Sequence, residues 1–267
     1  MIATAVTSDQ PLTAQPEYDR YVGMEAVRGP LAAGFARQIL TTCQPFLTRP
    51  ISGLRVLDIG CGYGHTAREL ARHTRHVVGV EPCQPLFAVA QQVAAQFGQN
   101  NLEYHPLGIY DLDYREAFDL VVLDNVLEHL PNQPRALEIV SQSLAPGGVA
   151  FILVPNRLWP IEVHYGLPFL SYLPLPLANL YLRLSGRGLD YTDASYAPTY
   201  FSLNRLLRAR TELTYSYPLP ADLSLTTRGN AWHYRLGAAA IRRWPLLWAI
   251  SKALLVVVQK PDPTPSR

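Results

Sequence analysis

Residues 54–72 read LRVLDIGCGYGHTARELAR. The apolar run from Leu54 to Ile59 has the length and composition of a buried strand, and 65–72 reads as the opening of a helix. Between them Gly60, Gly62 and Gly64 occupy alternate positions. Glycine removes the side chain where a backbone turns sharply or lets a large group come close. A strand, a glycine loop and a helix N-terminus together form a nucleotide-binding corner. Which nucleotide it takes depends on the residues around it.

Downstream of this corner, strands and helices alternate. The pattern predicts strands at 54–59, 77–81, 102–105, 118–123 and 149–154, with helices at 65–72, 85–97 and 132–144. Upstream, 24–40 has helical apolar spacing, and Pro45 and Pro50 close its connection to the first strand. Alternation at this spacing implies parallel β-α units with helices on both faces of one sheet. A further helix near 202–210, a strand near 212–217, an apolar helix over 236–252 and a strand at 253–259 complete the reading. The last two strands are expected to pair.

Bulk composition narrows the classes. Lys plus Arg number 23 against 21 for Asp plus Glu in 267 residues, so there is no basic footprint for nucleic acid. Cys43, Cys61 and Cys83 are odd in number and lack ligand spacing, which argues against a disulfide scaffold or a zinc site. No metal ligand set is expected. No leader pattern and no uninterrupted apolar stretch of about 18 residues is present. The expected location is cytoplasmic, with reduced thiols. Residues 1–16 are rich in Thr, Gln, Ser and Pro and read as disordered; 17–260 read as one domain.

A dinucleotide fingerprint requires G-x-G-x-x-G. Here the third glycine comes one residue early, His65 holds its place, and Asp58 stands in the strand. Glu81 ends the second strand roughly 20 residues after Gly60, where a carboxylate can accept two ribose hydroxyls. NAD and S-adenosylmethionine share that demand.

Four segments in series, VLDIGCGYG, VVGVEPC, FDLVVLDNVLEHL and SLAPGGVAFILVPN, resemble class I S-adenosylmethionine-dependent methyltransferases over about 54–156. VLEHL and the long insertion after VPN are similar, more loosely, to O-methyltransferases of the ubiquinone-biosynthesis type and to methyltransferases of cell-surface glycan clusters. The resemblance implies a Rossmann-like seven-stranded sheet with an insertion after strand 5. It places Gly60, Cys61 and Gly62 under the methionine part of the cofactor, with Asp58 holding the loop or meeting the amino group through water. Glu81 would take the ribose, with Pro82 and Cys83 against the adenine. The acid that such proteins carry near the adenine amine is missing: Gly108 or Ile109 falls there, and Asp111 follows. Asp124 and Asn125 would line the cavity near the sulfonium.

Acceptor chemistry rests on two histidines. His129 follows the fourth strand, and its two readings are a base or acceptor-orienting group and a structural hydrogen bond. His164 lies in the proline- and aromatic-rich insertion 156–198, where the alternatives are substrate contact and plain surface. Arg183 and Arg187 could bind an anionic acceptor or sit in a solvated turn. Tyr18 and Tyr21 could form a lid. The expected reaction is methyl transfer to a small-molecule, glycan or lipid-linked acceptor, most readily at oxygen. Nitrogen or carbon acceptors, and a cofactor-binding protein without turnover, are the rivals. Trp244, Leu247 and Trp248 on one side of the C-terminal helix, with Arg235 and Arg242 roughly opposite, suggest peripheral membrane contact; packing on the sheet is the alternative.

Overall fold

The structure, a computed structural model, describes residues 29–220 and 232–262. The N-terminal stretch 1–16, the tyrosines 18 and 21 and the first turn of the 24–40 helix lie outside those residues. Helix α1 runs Ala32–Cys43 after a short 3-10 turn at Gly29–Leu31. Then come β1 (Arg55–Ile59), α2 (His65–Ala71), β2 (His76–Val80), α3 (Gln84–Phe97), β3 (Leu102–His105) and β4 (Phe118–Asp124). They are followed by α4 (Gln133–Ser143), β5 (Leu144–Pro155), α5 (Leu175–Leu184), α6 (Tyr200–Arg208), β6 (Thr214–Ser216), α7 (Trp232–Arg243) and β7 (Ala253–Gln259).

The seven strands form one sheet in the order β3-β2-β1-β4-β5-β7-β6. β1 to β5 are parallel, and β7 runs antiparallel between β5 and β6. The two late strands pair as the sequence predicts. Strands β1, β2 and β4 are buried almost throughout, which is why they read as continuous apolar runs rather than alternating ones. Right-handed crossovers carry the helices after β1 and β2 to one face and the helix after β4 to the other. The order reverses between β1 and β4, and the crevice beyond the carboxyl ends of strands at such a point is where ligands bind.

Local chemistry sets the boundaries. Pro85 stands in the first turn of α3, where its missing N–H costs nothing, and Gly98 ends that helix at φ 60°. The Asn132 side chain caps α4 by accepting the Arg135 N–H at 3.2 Å. β5 extends well before the expected 149, because the chain enters it directly from α4 and slips register between Phe118 and Leu120. At the sheet's opposite end, Asp119 accepts from both the backbone N–H and the guanidinium of Arg55, at 2.9 and 3.1 Å, tying the entries of β4 and β1 together.

The apolar helix expected over 236–252 is not continuous. Helix α7 stops at Arg243, Trp244 leaves helical geometry, and a 3-10 turn covers Pro245–Ile250. Proline cannot donate to the preceding turn and its ring clashes with it. The tryptophans are therefore separated: Trp248 is 7% exposed and Trp244 is 59% exposed. Trp248 packs on the ring of Tyr217 at 5.7 Å, so it belongs to the sheet's core rather than to an outward stripe. Among the described residues no helix is long and apolar enough to cross a membrane.

Between β5 and α6, residues 156–199 form a small unit with its own apolar cluster, including Tyr165, Leu170, Leu182 and Tyr191. Buried Asn156 anchors its start, its amide donating to the carbonyls of Ala249 and Ser251 at 3.0 Å.

Candidate active site

The loop after β1 is a left-handed chain at alternate positions: Gly60, Gly62 and Gly64 have φ of 67°, 57° and 73°. A Cβ on Gly60 would stand 2.7 Å from Val126 Cγ2, and one on Gly64 would overlap the Tyr104 hydroxyl. Tyr104, buried on β3, donates that hydroxyl to the Gly64 carbonyl at 2.8 Å, so a neighbouring strand pins the loop's exit. Sequence reading had not marked Tyr104.

Glu81 closes the corner. One carboxylate oxygen accepts the Gly62 N–H and the other the Cys83 N–H, each at 2.9 Å. Burial pushes its carboxyl above the usual range, while the two N–H groups and the charge of His129 pull it back. An ionised carboxylate offers about four acceptor positions, so two remain for a diol while the other two hold the loop. Asp58 is buried beneath the loop. Pro82 and Gly108 lie close together, since a Cβ on Gly108 would sit 3.8 Å from that of Pro82. The Gly108 N–H donates to Asp111 at 3.1 Å, so this acid caps the short Ile109–Asp111 turn. Ile109 is buried.

At the end of β4, Asn125 has φ 56° and donates its side-chain amide to Asp124 at 2.8 Å. The chain then makes a 3-10 turn over Leu127–His129, and the post-β5 unit docks on it. Tyr196 N–H donates to the Glu128 carbonyl at 3.2 Å, and Gln133 bridges the carbonyls of Leu127 and Tyr196 at 2.9 and 2.7 Å.

That docking unites the two histidines. Their rings meet edge to face, with centroids 5.4 Å apart. His129 Nδ1 is 2.9 Å from Asp193, and His164 Nδ1 is 2.6 Å from Glu162. A carboxylate facing Nδ1 favours the proton on that nitrogen and fixes the ring's orientation. Both Nε2 atoms face the same Glu128 oxygen, at 3.9 and 3.8 Å. Glu128 is fully buried, and Glu162 also accepts the backbone N–H groups of His164 and Tyr165 at 2.8 and 2.7 Å.

Of the two readings of Arg183 and Arg187, the turn is the one their contacts fit. Arg187 donates to the carbonyls of Tyr165 and Gly166 at 2.8 and 3.0 Å, and Arg183 to that of Leu189 at 2.8 Å. Both staple the unit's turns. Cys43, Cys61 and Cys83 are thiols with no disulfide among them.

The profile of a family described as "Methyltransferase domain" matches residues 32–244. The chain belongs to this methyltransferase family. Its methyl donor is S-adenosylmethionine, which decides between the two nucleotides that the glycine loop and Glu81 left open. The cradle fits it: left-handed glycines leave no side chain in the way, and Glu81 keeps acceptor positions for the ribose. Over 137 residues the methyltransferase is 34% identical to the ubiquinone biosynthesis O-methyltransferase of Mesorhizobium japonicum, covering 51% of this chain and 52% of that one. Its counterpart from Bradyrhizobium sp. is 37% identical over 109 residues, 41% of this chain and 43% of that one. The chain spans about half the length of the curated relatives it matches. Among solved structures, the plantazolicin methyltransferase BpumL, in complex with a pentazolic desmethylPZN analog and SAH, superposes with TM-score 0.60 at 16% identity, covering 93% of this chain and 92% of that one. The YcgJ protein from Bacillus subtilis gives TM-score 0.55 at 18% identity, over 85% and 99%.

The cluster around His129 and His164 also includes Glu128, Glu162 and Asp193, which sequence reading passed over. Two of them had a signal: Glu128 immediately precedes His129, and Glu162 stands two residues before His164.

Proposed function

We propose that 17–260 act as one domain that transfers the methyl group of S-adenosylmethionine to an oxygen of a small-molecule acceptor. The observation that carries this reading is the pair of Nε2 atoms facing Glu128, beside a cofactor corner whose Glu81 senses the charge of His129. Gly60, Cys61 and Gly62 pass beneath the methionine part, with Asp58 supporting the loop from below. Glu81 takes the ribose hydroxyls, and Pro82, Gly108 and Ile109 border the adenine. Asp124 and Asn125 line the cavity toward the sulfonium.

The bound cofactor supplies a methyl group already activated on positive sulfur. The chain has to hold a nucleophile in line with it, exclude water and deal with the acceptor's proton. A hydroxyl becomes a competent nucleophile as it loses that proton, and a positioned acceptor of protons speeds this by about 10²–10⁴-fold. His129 and His164, with Nδ1 held by Asp193 and Glu162, present such acceptors at Nε2. The likeness to ubiquinone biosynthesis O-methyltransferases supports oxygen over nitrogen or carbon. Incubation with methyl-labelled cofactor and a panel of phenols, alcohols, carboxylates and amines, read by mass spectrometry, tests this. Label on oxygen supports it; label on nitrogen or carbon alone overturns it, and no transfer to any acceptor favours a binding protein without turnover.

A lipid-linked or glycan-linked acceptor reached at a membrane surface is a second reading, favoured by one observation. Trp232, Leu236, Trp244, Leu246 and Ile250 are all exposed along α7 and the turn after it, beside Arg235, Arg242 and Arg243. Tryptophan and leucine next to arginine suit the interface of an anionic bilayer.

A further inference from the structure

We propose that the amino ends of β1, β2 and β3 carry a second binding site, for a small molecule with a pyrophosphate group. A cavity of about 560 Å³ opens there, lined by Arg49, Arg55, Arg75, His76, Asn100 and Asn101. Small-molecule sites commonly occupy about 300–1,000 Å³. Arg55 and His76 are register partners at the starts of β1 and β2, and Asn101 immediately precedes β3. The length of β1, about 15 Å of extended chain, separates Arg55 from the glycine loop. The ligand is therefore neither the methyl donor nor its acceptor.

Donor accounting points to an anion. No carboxylate lines the cavity. Buried Asp119 sits behind it and offsets part of the charge, taking the Nε and one terminal nitrogen of Arg55 at 3.1 and 3.3 Å. Arg49 turns its Nε to the same carboxylate at 3.4 Å, which leaves its two terminal nitrogens for another partner. Among the described residues, the Arg75 guanidinium makes no hydrogen bond or ion pair. Glu103 lies between His76 and His105, at 2.9 and 3.4 Å, and is not part of the wall. Nor does the end of α2 need Arg75 as a cap. Its last carbonyls already accept from Thr74, Gln99 and Asn101.

Guanidinium is a planar fork that pairs with phosphate oxygens two at a time and has no acceptor of its own. Arg49 and Arg75 come from different segments and each keeps such a fork, which matches two linked phosphates better than one. Three arginines gathered in a recess, on a chain whose net charge is +2, suit a compact polyanion; nucleic acid requires a basic stripe or face.

The full-length chain, with S-adenosylhomocysteine in excess to fill the donor's corner, is titrated by calorimetry with pyrophosphate, adenosine diphosphate, orthophosphate and citrate. Pyrophosphate should bind at one equivalent, more tightly than orthophosphate or citrate. Adenosine diphosphate binding more tightly than pyrophosphate names a nucleotide as the source; pyrophosphate binding as tightly or better names the free anion, and both uphold the site. Arg49→Gln and Arg75→Gln should each lower affinity about 10–100-fold, the loss of hydrogen bonds to a charged group. Their circular dichroism and unfolding midpoints should match the wild type, because Arg55 still pairs with Asp119 in both. Arg72 pairs with Glu69 and lies outside the cavity wall, so Arg72→Gln should bind like the wild type. Absence of binding by both pyrophosphate and adenosine diphosphate overturns the proposal. So does orthophosphate or citrate binding as tightly as pyrophosphate, unchanged affinity in Arg75→Gln, or an equal loss in Arg72→Gln, which would mark diffuse surface charge. None of these readings involves methyl transfer, so failure here leaves the proposed function standing.

Discussion

His129 and His164 meet edge to face, ring centroids 5.4 Å apart and planes at 72°. One comes from the turn after β4 and the other from the unit after β5. Neither segment makes the pair alone: it depends on Tyr196 and Gln133 holding that unit to the turn. The site is thus a joint between the carboxyl end of β4 and the unit that follows β5.

Replacing either histidine should separate chemistry from cofactor binding. His129→Ala and His164→Ala are each expected to lower turnover about 10²–10⁴-fold. S-adenosylhomocysteine affinity, measured by calorimetry, should stay within a few-fold of wild type. Two fully active variants would remove both residues from the reaction.

Glu81 holds the Gly62 and Cys83 N–H groups, and on the proposed function its remaining acceptor positions take the ribose. Glu81→Ala should weaken S-adenosylhomocysteine binding by about 1.5–3 kcal/mol, the cost of losing hydrogen bonds to a charged group. Calorimetry reads this directly. An unchanged dissociation constant would mean that the ribose is held elsewhere.

The Tyr104–Gly64 contact makes a stability prediction. Tyr104→Phe removes one buried hydrogen bond and should cost about 0.5–1.5 kcal/mol in urea denaturation. Gly64→Ala combines a left-handed backbone with a clash against the Tyr104 ring, so its loss should be larger, about 2–4 kcal/mol. If Gly64→Ala proved the milder change, the loop would be more pliable than its geometry implies.

The two C-terminal tryptophans should behave differently. Trp248→Ala opens a cavity beside Tyr217 and should destabilise by about 3–5 kcal/mol. Trp244→Glu with Leu246→Glu should leave the thermal midpoint nearly unchanged yet release the protein from anionic vesicles in a flotation assay. A wild type that never floats would sink the membrane-surface reading.

The parallel sheet and the glycine loop were legible from residues 54–156 because their determinants are local. Buried parallel strands are unbroken apolar runs and a left-handed loop needs glycine, whereas the strand order is seen only in the fold. Glu81 could be placed because it ends a strand adjacent to β1, in register with the loop. Pro245 was visible too, but its consequence was misjudged: apolar composition over 236–252 suggested one helix, and the helix breaks just before the proline. That break sends Trp248 inward and leaves Trp244 outside.

Only the tertiary structure brought the histidine cluster together. Glu128, His129, Glu162, His164 and Asp193 come from a turn and from two distant parts of a proline-rich unit. Their meeting depends on a handful of backbone hydrogen bonds between segments with no shared periodicity. Side chains that converge through docking leave no spacing rule in the chain. Sequence alone determined the sheet and the glycine loop, whose shapes follow from neighbours along the chain. Which polar groups gather around His129 and His164 was set by how the post-β5 unit packs against the end of β4, because that packing brings their polar atoms within reach of one another.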